Sequence, residues 1–196
     1  MTKEELRSVI AAEKKLYLGD TKAQIKSKRR SLHPRYMIWR YLYFFRTCVY
    51  YRELRENAPS KAARFFAKYR SRYYDRKRNR AGQLAGVEIG LNSRIGACVD
   101  IWHGGVVING SLGDRCVLHG GNVIGNKGFG RENETPALGS GVEVGAGAVL
   151  IGAVRIADNC RIGAGAVVTR SFETPGSVIA GVPAAVIKTN ETPTEE

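Results

Sequence analysis

Branched aliphatic residues recur at every sixth position through the second half of the chain. The longest unbroken series comprises Leu138, Val144, Leu150, Ile156, Ile162 and Val168. An α-helix turns once in about 3.6 residues, so it cannot bury a strict period of six along one face. A protein built of β-hairpins would instead show alternation with a period of two. The pattern is typical of a hexapeptide repeat and predicts a parallel β-helix with these side chains in its core.

The same spacing is present earlier in the chain, with one irregularity. Aliphatic residues at 89, 95 and 101 lead to Val107, and the series then resumes one residue short, at Leu112. This register predicts Val107 as a core residue. Small or medium-sized apolar residues follow four positions after each aliphatic residue of the later series: Val142, Ala148, Val154, Cys160 and Ala166. Three hexapeptides would form one triangular coil, so residues three repeats apart are expected to stack.

The repeat is interrupted between Asn126 and Pro136 by a polar segment that contains two glycines. We expect this segment, 126–136, to form a loop that projects from a corner of the coil. Loops on a rigid scaffold often carry binding residues. Asn126 and Lys127, at the start of the loop, are therefore candidates for contact with a substrate.

The segment 1–80 follows a helical period instead. Thr2-Lys3-Glu4-Glu5 is a capping box, which predicts the start of a helix, and Gly19 is a suitable stop. Further helices are predicted over three ranges: 21–31, 35–57 and 60–79. The range 35–57 has a broad apolar surface rich in aromatic residues, so we expect this helix to pack on more than one partner.

The charge distribution divides the chain near Arg80. Residues 1–80 contain 23 Lys and Arg against 7 Asp and Glu, a net charge of +16, whereas residues 81–196 contain 8 against 11, a net charge of −3. We predict a basic α-helical domain at 1–80, a β-helix domain at 81–188 and a flexible tail at 189–196. The basic half is either a solvated helical surface or a surface that attracts an anionic partner such as a membrane. Nucleic acid is disfavoured, because no nucleic-acid motif accompanies the aromatic residues.

The cellular compartment is predicted from the targeting signals that the sequence does not show. The segment Met1–Lys15 has mixed charge and no apolar core, unlike an export signal. The apolar run Tyr36–Tyr51 is short and contains two arginines, so it should not span a bilayer. The four cysteines show no C-x-x-C spacing. We expect a cytoplasmic protein, with a peripheral position at the inner face of the membrane as the alternative.

Two of the three histidines are candidates for chemistry. His103 precedes Gly104-Gly105, and His119 precedes Gly120-Gly121, so a ligand has room to approach either imidazole. Histidine suits general base catalysis because its pKa lies near physiological pH. A structural role for each remains the alternative. Asp100 lies close enough in sequence to orient His103, or it faces solvent.

Several segments of the chain resemble bacterial hexapeptide-repeat acyltransferases, which fold as left-handed parallel β-helices. The segments are Ile101–Asn109, Val117–Lys127, Ile162–Arg170 and Ala180–Ala184. The similarity is greatest to the serine acetyltransferase-related branch, which includes O-acetyltransferases of capsular polysaccharides and exopolysaccharides. The resemblance implies an α-helical region followed by a left-handed β-helix, with acetyl-CoA as co-substrate and no metal.

The resemblance also implies roles for individual residues. His103 matches the general base that takes the proton from the acceptor hydroxyl. His119 is a second base, an acceptor ligand or a structural residue. In this family CoA lies in a groove between neighbouring subunits of a homotrimer, and pairs of trimers joined through the N-terminal helices are a further option. The positions that match this groove are Ala146, Ala164, Thr169, Arg170 and Lys188. Ala185 replaces a basic residue that many relatives carry.

The acceptor is predicted from two positions at which the chain differs from serine acetyltransferases. True serine acetyltransferases carry Asp before the catalytic His, where this chain has Trp102, and Arg-His-Pro where it has Glu134-Thr135-Pro136. Trp102 suits either stacking on a sugar or packing on the next subunit. A sugar hydroxyl of a surface polysaccharide or its precursor is the expected acceptor. The alternatives are serine and a non-catalytic scaffold. A zinc enzyme of the carbonic anhydrase type is disfavoured, because three His ligands are needed and the repeat region has only His103 and His119.

Overall fold

The computed structural model describes residues 1–189, which form two compact units. The helical unit is Met1–Leu91, and the coiled unit begins at Asn92. The helical unit contains α1 (Lys3–Leu18), α2 (Lys22–Arg30), α3 (Pro34–Glu56) and α4 (Lys61–Ala85), followed by a short strand, β1 (Val87–Ile89). The predicted capping box is present, since the Thr2 hydroxyl accepts from the Glu5 amide and the Glu5 carboxylate accepts from the Thr2 amide.

Helix α4 extends beyond its predicted end at residue 79, so a boundary at 80 falls inside it. Gly82, which follows the predicted end of the helix, lies within α4 and is buried. A Cβ atom there would come within about 3 Å of both the Tyr41 ring and the Val87 carbonyl oxygen, so close packing explains this glycine. The helix ends instead at Gly86, whose φ of 64° is a left-handed conformation that glycine adopts without strain.

Helix α3 is the centre of the helical unit and contacts α1, α2 and α4, as its broad apolar surface predicted. Leu42 and Phe45 are buried in this contact. The buried Arg46 guanidinium donates to the Glu13 carboxylate of α1 over 2.6 Å. Burial raises the pKa of Glu13, and the nearby Arg46 charge opposes part of that rise. The Tyr41 hydroxyl accepts from the Ile89 amide over 2.6 Å, and burial raises the pKa of Tyr41 to about 12.

The coiled unit is a parallel β-solenoid of about five turns, as the hexapeptide repeat predicted. Its strands are β2 (Arg94–Ile95), β3 (Asp100–Ile101), β4 (Val106–Ile108), β5 (Ser111–Leu112), β6 (Val117–Leu118), β7 (Val123–Gly125), β8 (Ala137–Leu138), β9 (Glu143–Val144), β10 (Val149–Ile151), β11 (Arg155–Ile156), β12 (Arg161–Ile162), β13 (Val167–Val168), β14 (Ser177–Ala180) and β15 (Ala185–Thr189). Within this unit they form three sheets with the orders β4-β7-β10-β13, β2-β5-β8-β11 and β3-β6-β9-β12-β14-β15.

The pairing register confirms that one coil equals three hexapeptides in the later part of the solenoid. Leu138 pairs with Ile156, Val144 with Ile162 and Leu150 with Val168, and in each pair the partners are three repeats apart. All six side chains are buried. The coil before them is longer than three repeats, since Leu112 pairs with Leu138. The segment 126–136 accounts for this extra length and lies outside the strands, as predicted.

The prediction that Val107 lies in the core is wrong. Val107 is 41% exposed, whereas its neighbours Val106 and Ile108 are each 1% exposed. Ile108 is the residue that stacks on Ile124. Because strand side chains alternate between faces, a register error of one residue exchanges core and surface. The core spacing is therefore seven residues from Ile101 to Ile108 and four from Ile108 to Leu112. The coil as a whole remains one residue short of three hexapeptides, since Ile101 pairs with Leu118.

The end of the predicted tail needs a smaller correction. Thr189 belongs to β15, which pairs antiparallel with β14, and positions 190–196 of the predicted tail lie outside the described residues. Within residues 1–189, no helix combines the length and apolar character needed to cross a membrane. The same part of the chain contains no group of three or more side chains suited to bind a metal ion.

Candidate functional site

Two aromatic side chains stack where β3 and β6 end. The Trp102 amide donates to the Leu118 carbonyl, and the His119 amide donates to the Val144 carbonyl, so consecutive coils hold these residues in line. The indole of Trp102 and the imidazole of His119 stack with their centroids 4.4 Å apart and their planes inclined by 28°. The parallel register thus brings together two candidates that the sequence places on different coils.

The indole is held in place by a carboxylate. Trp102 Nε1 donates to Asp100 Oδ2 over 3.1 Å. Asp100 was predicted to orient His103, and the structure shows that one of its oxygens orients Trp102. This bond fixes the indole against His119, because the ring can no longer rotate freely about its side-chain torsions. Trp102 remains 43% exposed, so a ligand can reach its outer surface.

The imidazole of His119 is held by a second carboxylate from the next coil. His119 Nε2 lies 2.8 Å from Glu143 Oε1, and Arg161 Nε lies 3.5 Å from Glu143 Oε2. A carboxylate at Nε2 favours the proton on that nitrogen, which leaves Nδ1 as the acceptor of the neutral ring. Sequence reasoning did not select Glu143 or Arg161. Arg161 pairs with Glu143 on the neighbouring coil, so the two residues lie side by side. In the sequence alone, both residues are equally typical of a solvated surface.

His103 directly follows Trp102 in the chain, and a glycine of the next coil leaves space beside it. A Cβ atom at Gly120 would lie 2.7 Å from the His103 Cβ atom, so only glycine fits beside His103. Gly120 also has a φ of 119°, a left-handed value that strains other residues. The His103 side chain is exposed. An exposed imidazole on a rigid coil, with a glycine as its neighbour, is suited to take a proton from an incoming hydroxyl group.

A buried asparagine supports the turn below His103. Asn122 is 0% exposed; its Oδ1 accepts from the Gly120 amide over 3.0 Å and its Nδ2 donates to the Gly145 carbonyl over 2.7 Å. The two bonds tie the turn that carries Gly120 to the next coil. Asn122 therefore fixes the position of Gly120 in the solenoid. Sequence reasoning missed this residue. The available signal was a polar residue four positions after Leu118, in the slot that small apolar residues fill elsewhere.

The candidates for contact with CoA lie along the later coils. Ala146 and Ala164 are exposed and stack one coil apart, and the Gly165 amide donates to the Ala146 carbonyl over 2.9 Å. Thr169 and Arg170 follow β13 and are also exposed. The Arg170 guanidinium lies 5.3 Å from the centre of the Phe172 ring, which holds the cation in a defined position.

The last of these candidates, Lys188, lies on β15 opposite Val178 and is exposed. The loop candidates Asn126 and Lys127 have structural contacts of their own. Asn126 Oδ1 accepts from the Gly128 amide over 3.1 Å, which closes a local turn. The Lys127 stem crosses Gly152, where an added Cβ atom would lie 2.6 Å from Lys127 Cε. The packing of its stem holds Lys127 against the coil.

The regular part of the solenoid matches a known family. Residues 136–170 match the family described as "Bacterial transferase hexapeptide (six repeats)". This range covers the coils whose core residues stack at intervals of three repeats. This segment of the chain therefore carries the hexapeptide repeat of that family. The predicted resemblance to hexapeptide-repeat transferases is therefore confirmed over this segment, whereas the resemblance to capsular enzymes stays a prediction.

Curated relatives of this hexapeptide-repeat chain are serine acetyltransferases. The chain is 41% identical over 81 residues to that of Synechococcus elongatus, a match that covers 40% of this chain and 33% of the relative. It is 37% identical over 81 residues to that of Helicobacter pylori, covering 40% of this chain and 47% of the relative. The matches thus span between a third and half of the length of these relatives.

Solved structures of hexapeptide-repeat enzymes resemble the chain over most of its length. The serine acetyltransferase from Brucella abortus in complex with coenzyme A superposes with a TM-score of 0.70 at 22% identity, covering 97% of this chain and 71% of that structure. At this level of identity, the likeness establishes the fold.

Proposed function

We propose that the protein is an acetyl-CoA-dependent O-acetyltransferase in which His103 is the general base. The observation that carries this proposal is the exposed His103 side chain next to Gly120, in a chain that has serine acetyltransferases among its relatives. His103 would accept the proton of the acceptor hydroxyl as that oxygen attacks the thioester carbonyl carbon. The carbon–sulfur bond then breaks, and the proton on His103 passes to the departing thiolate, which yields free CoA and the acetyl ester.

The exposed backbone at Ala146 and Ala164 fits a long ligand that lies along the coils, because neither position carries a bulky side chain. Arg170, Lys188 and the hydroxyl of Thr169 supply two cations and one hydrogen-bonding group in the later coils, which suit the phosphates of CoA. In the family that the chain resembles, such a groove lies between subunits. We therefore propose a homotrimer as the active assembly.

His119 and Glu143 suit a role in binding the acceptor. Glu143 holds the imidazole through Nε2, so Nδ1 is available to accept a hydrogen bond from an acceptor hydroxyl. Trp102 offers an apolar surface beside it, fixed by Asp100. Asn126 and Lys127 are candidates for further contacts from the loop. In this arrangement His103 performs the proton transfer, and His119 positions the group that loses the proton.

The relatives favour serine as the acceptor, since the curated relatives reported above are serine acetyltransferases. This supports the alternative raised by the sequence over the sugar acceptor that it first favoured. A sugar remains a second candidate because of one observation: Trp102 presents an exposed indole, held flat on His119, next to the proposed base. Aromatic faces of this kind suit the apolar side of a sugar ring.

A thiol-release assay distinguishes the acceptors. The full-length protein is supplied with acetyl-CoA together with serine, simple sugars or a lipid-linked glycan, and the free thiol of CoA is measured. We expect release above background with serine and none without an acceptor. Release only with a sugar would replace serine by the second candidate. No release with any acceptor, from protein that binds CoA in a separate titration, would contradict the transferase proposal and favour a scaffold.

A further inference from the structure

The most exposed aromatic side chains of the helical unit lie on α4. Phe65 is 73% exposed, Phe66 is 51%, Tyr69 is 71% and Tyr73 is 48%. Burial of a large aromatic side chain is favourable by about 1.5–3 kcal/mol, so several exposed rings on one helix indicate a surface that meets another apolar phase.

The rings share one face of α4 with arginines. Phe65, Tyr69 and Tyr73 are spaced by four residues and therefore form one ridge along the helix. A second ridge beside it has the same spacing and is also exposed: Arg72, Arg76 and Arg80. We call these six residues, together with Phe66, the aromatic–arginine face. On the opposite side of α4 the buried residues are small: Ala67, Ser71 and Ala81.

The charge of α4 is strongly one-sided. The helix contains nine Lys and Arg residues, and its only acidic residue is Asp75. The Asp75 carboxylate is already paired with Arg78, 3.0 Å away, so it does not neutralise the aromatic–arginine face. Two of the rings have a cation beside them, since Arg70 lies over Phe66 at 5.1 Å and Lys77 over Tyr73 at 5.5 Å. The face therefore combines exposed apolar area with uncompensated positive charge.

We infer that the aromatic–arginine face docks onto an anionic lipid surface. A helix with rings and cations on one exposed side lies in the interface of a bilayer, with the rings among the acyl chains and the cations at the headgroups. No helix within residues 1–189 is suited to cross a membrane, so the attachment would be peripheral. This inference does not depend on the proposed acetyltransferase activity.

Charge decides between lipid and a second copy of the chain as the occupant. Two aromatic–arginine faces placed together would oppose cations with cations, and the face contains no carboxylate to pair with them. An anionic surface instead satisfies the cations and covers the rings. Nucleic acid also attracts cations, but no nucleic-acid motif accompanies these aromatic residues.

The structure also separates this face from the aromatic helix that sequence analysis singled out. The aromatic residues of α3 are buried or half-buried, and two of them, Tyr41 and Phe45, are 2% exposed. Helix α3 uses its surface in contacts with α1 and α4. The membrane-facing role considered for the basic half therefore belongs to α4.

The test is cosedimentation of the full-length protein with vesicles. Vesicles of phosphatidylcholine alone are compared with vesicles that also contain phosphatidylglycerol, at low and high salt. We expect binding only to the anionic vesicles and weaker binding at high salt, because the Debye length falls from about 10 Å at 0.1 M to about 3 Å at 1 M. Equal sedimentation with neutral vesicles, or none with anionic vesicles at low salt, would overturn the inference.

Matched variants test the face itself. Arg72→Gln, Arg76→Gln and Arg80→Gln together should weaken vesicle binding about 100-fold. Each of the three cations contributes to the free energy of binding to an anionic lipid surface. The control variant removes three exposed charges of α2 (Lys22→Gln, Lys26→Gln and Arg29→Gln) and should stay within about threefold of wild type, because attraction acts only over about a Debye length. Equal weakening by the two variants would show that net charge, and not this face, determines binding.

A second pair of variants tests the rings. Phe65→Ser with Tyr69→Ser should lower the affinity for anionic vesicles about tenfold, because two apolar groups no longer enter the lipid. Phe129→Ser, which removes a fully exposed ring from the loop 126–136, is the control and should bind as wild type does. Unchanged binding by the double variant would contradict the inference. A change in its oligomeric mass would assign the face to a second copy, and tighter binding to a single-stranded oligonucleotide than to vesicles would assign it to nucleic acid.

Discussion

At the scale of single residues, the candidate site depends on which side chains are absent. Gly120 leaves space for the His103 Cβ atom, and Asn122 holds the backbone of that turn through two hydrogen bonds. His103 is exposed and open to an incoming hydroxyl group, whereas His119 is held by Glu143. Two histidines with similar sequence surroundings therefore have different environments.

We expect His103→Ala to lower turnover by about 10²–10⁴-fold, the usual contribution of a positioned general base. Binding of CoA and the thermal unfolding midpoint should stay near wild type, because the imidazole is exposed. The assay is the release of thiol from acetyl-CoA. His33→Ala, which changes a histidine in the helical unit, is the control, and retained activity in His103→Ala would remove this residue from the proposed role.

A second prediction at this scale concerns the cysteines. Burial raises the pKa of Cys48 to about 11, and burial also raises the pKa of Cys116 and Cys160. The thiolate is the reactive form, so these three thiols should react slowly with a disulfide reagent at neutral pH. Reaction should accelerate as the pH rises toward the pKa of each thiol, or on unfolding. Mass spectrometry of the labelled protein should find Cys98, the half-exposed thiol, modified first.

At the scale of elements, the alternation of side chains on β4 decides which residues support the coil. Ile108 stacks on Ile124 in the core, and Val107 faces outward between two buried neighbours. Ile108→Ala should lower the free energy of unfolding by about 2–5 kcal/mol, the usual cost of such a core truncation. Val107→Ala is the matched control on the same strand and should change it by less than about 0.5 kcal/mol. Denaturant unfolding monitored by circular dichroism measures both, and equal effects would contradict the assigned register.

The contact between α1 and α3 contains a buried ion pair that can be tested in the same way. Glu13→Ala leaves the buried Arg46 without its carboxylate and should lower the free energy of unfolding by about 3–5 kcal/mol. The control is Glu4→Ala, which removes an exposed carboxylate from the same helix and should cost about 1 kcal/mol or less. Similar losses in the two variants would show that Arg46 finds another partner or reaches water.

At the scale of the whole molecule, the question is how the chain assembles. A three-sided coil exposes flat faces, and the proposed site for CoA along Ala146 and Ala164 lies open on the surface. We expect light scattering to give a mass about three times the 21.5 kDa of one chain. The trimer should persist in high salt, because apolar contacts are not screened. A stable monomer that releases thiol from acetyl-CoA would contradict both the assembly and the groove between subunits.

Much of the architecture was determined by local sequence. The period of six specified the coils and most of their core residues, because each aliphatic side chain must point inward from a short strand once per side. The capping box at Thr2 and the proline at the start of α3 similarly acted on their immediate neighbours. Both histidines could be selected as candidates, since each is followed directly by two glycines. That Gly120 is the glycine beside His103 was not visible in the sequence, because it depends on how the coils stack.

The tertiary structure decided what depends on contacts distant in sequence. The contacts of Trp102 with His119, of His119 with Glu143 and of Lys127 with Gly152 each follow from the stacking of coils, whose lengths are not uniform in the pairing register. The core position at Ile108 in place of Val107 was hidden because three aliphatic residues in succession fit either register. Exposure of the α4 rings was likewise decided by packing, since both α3 and α4 are rich in aromatic residues, and only the arrangement of the helices determines which face remains in contact with water.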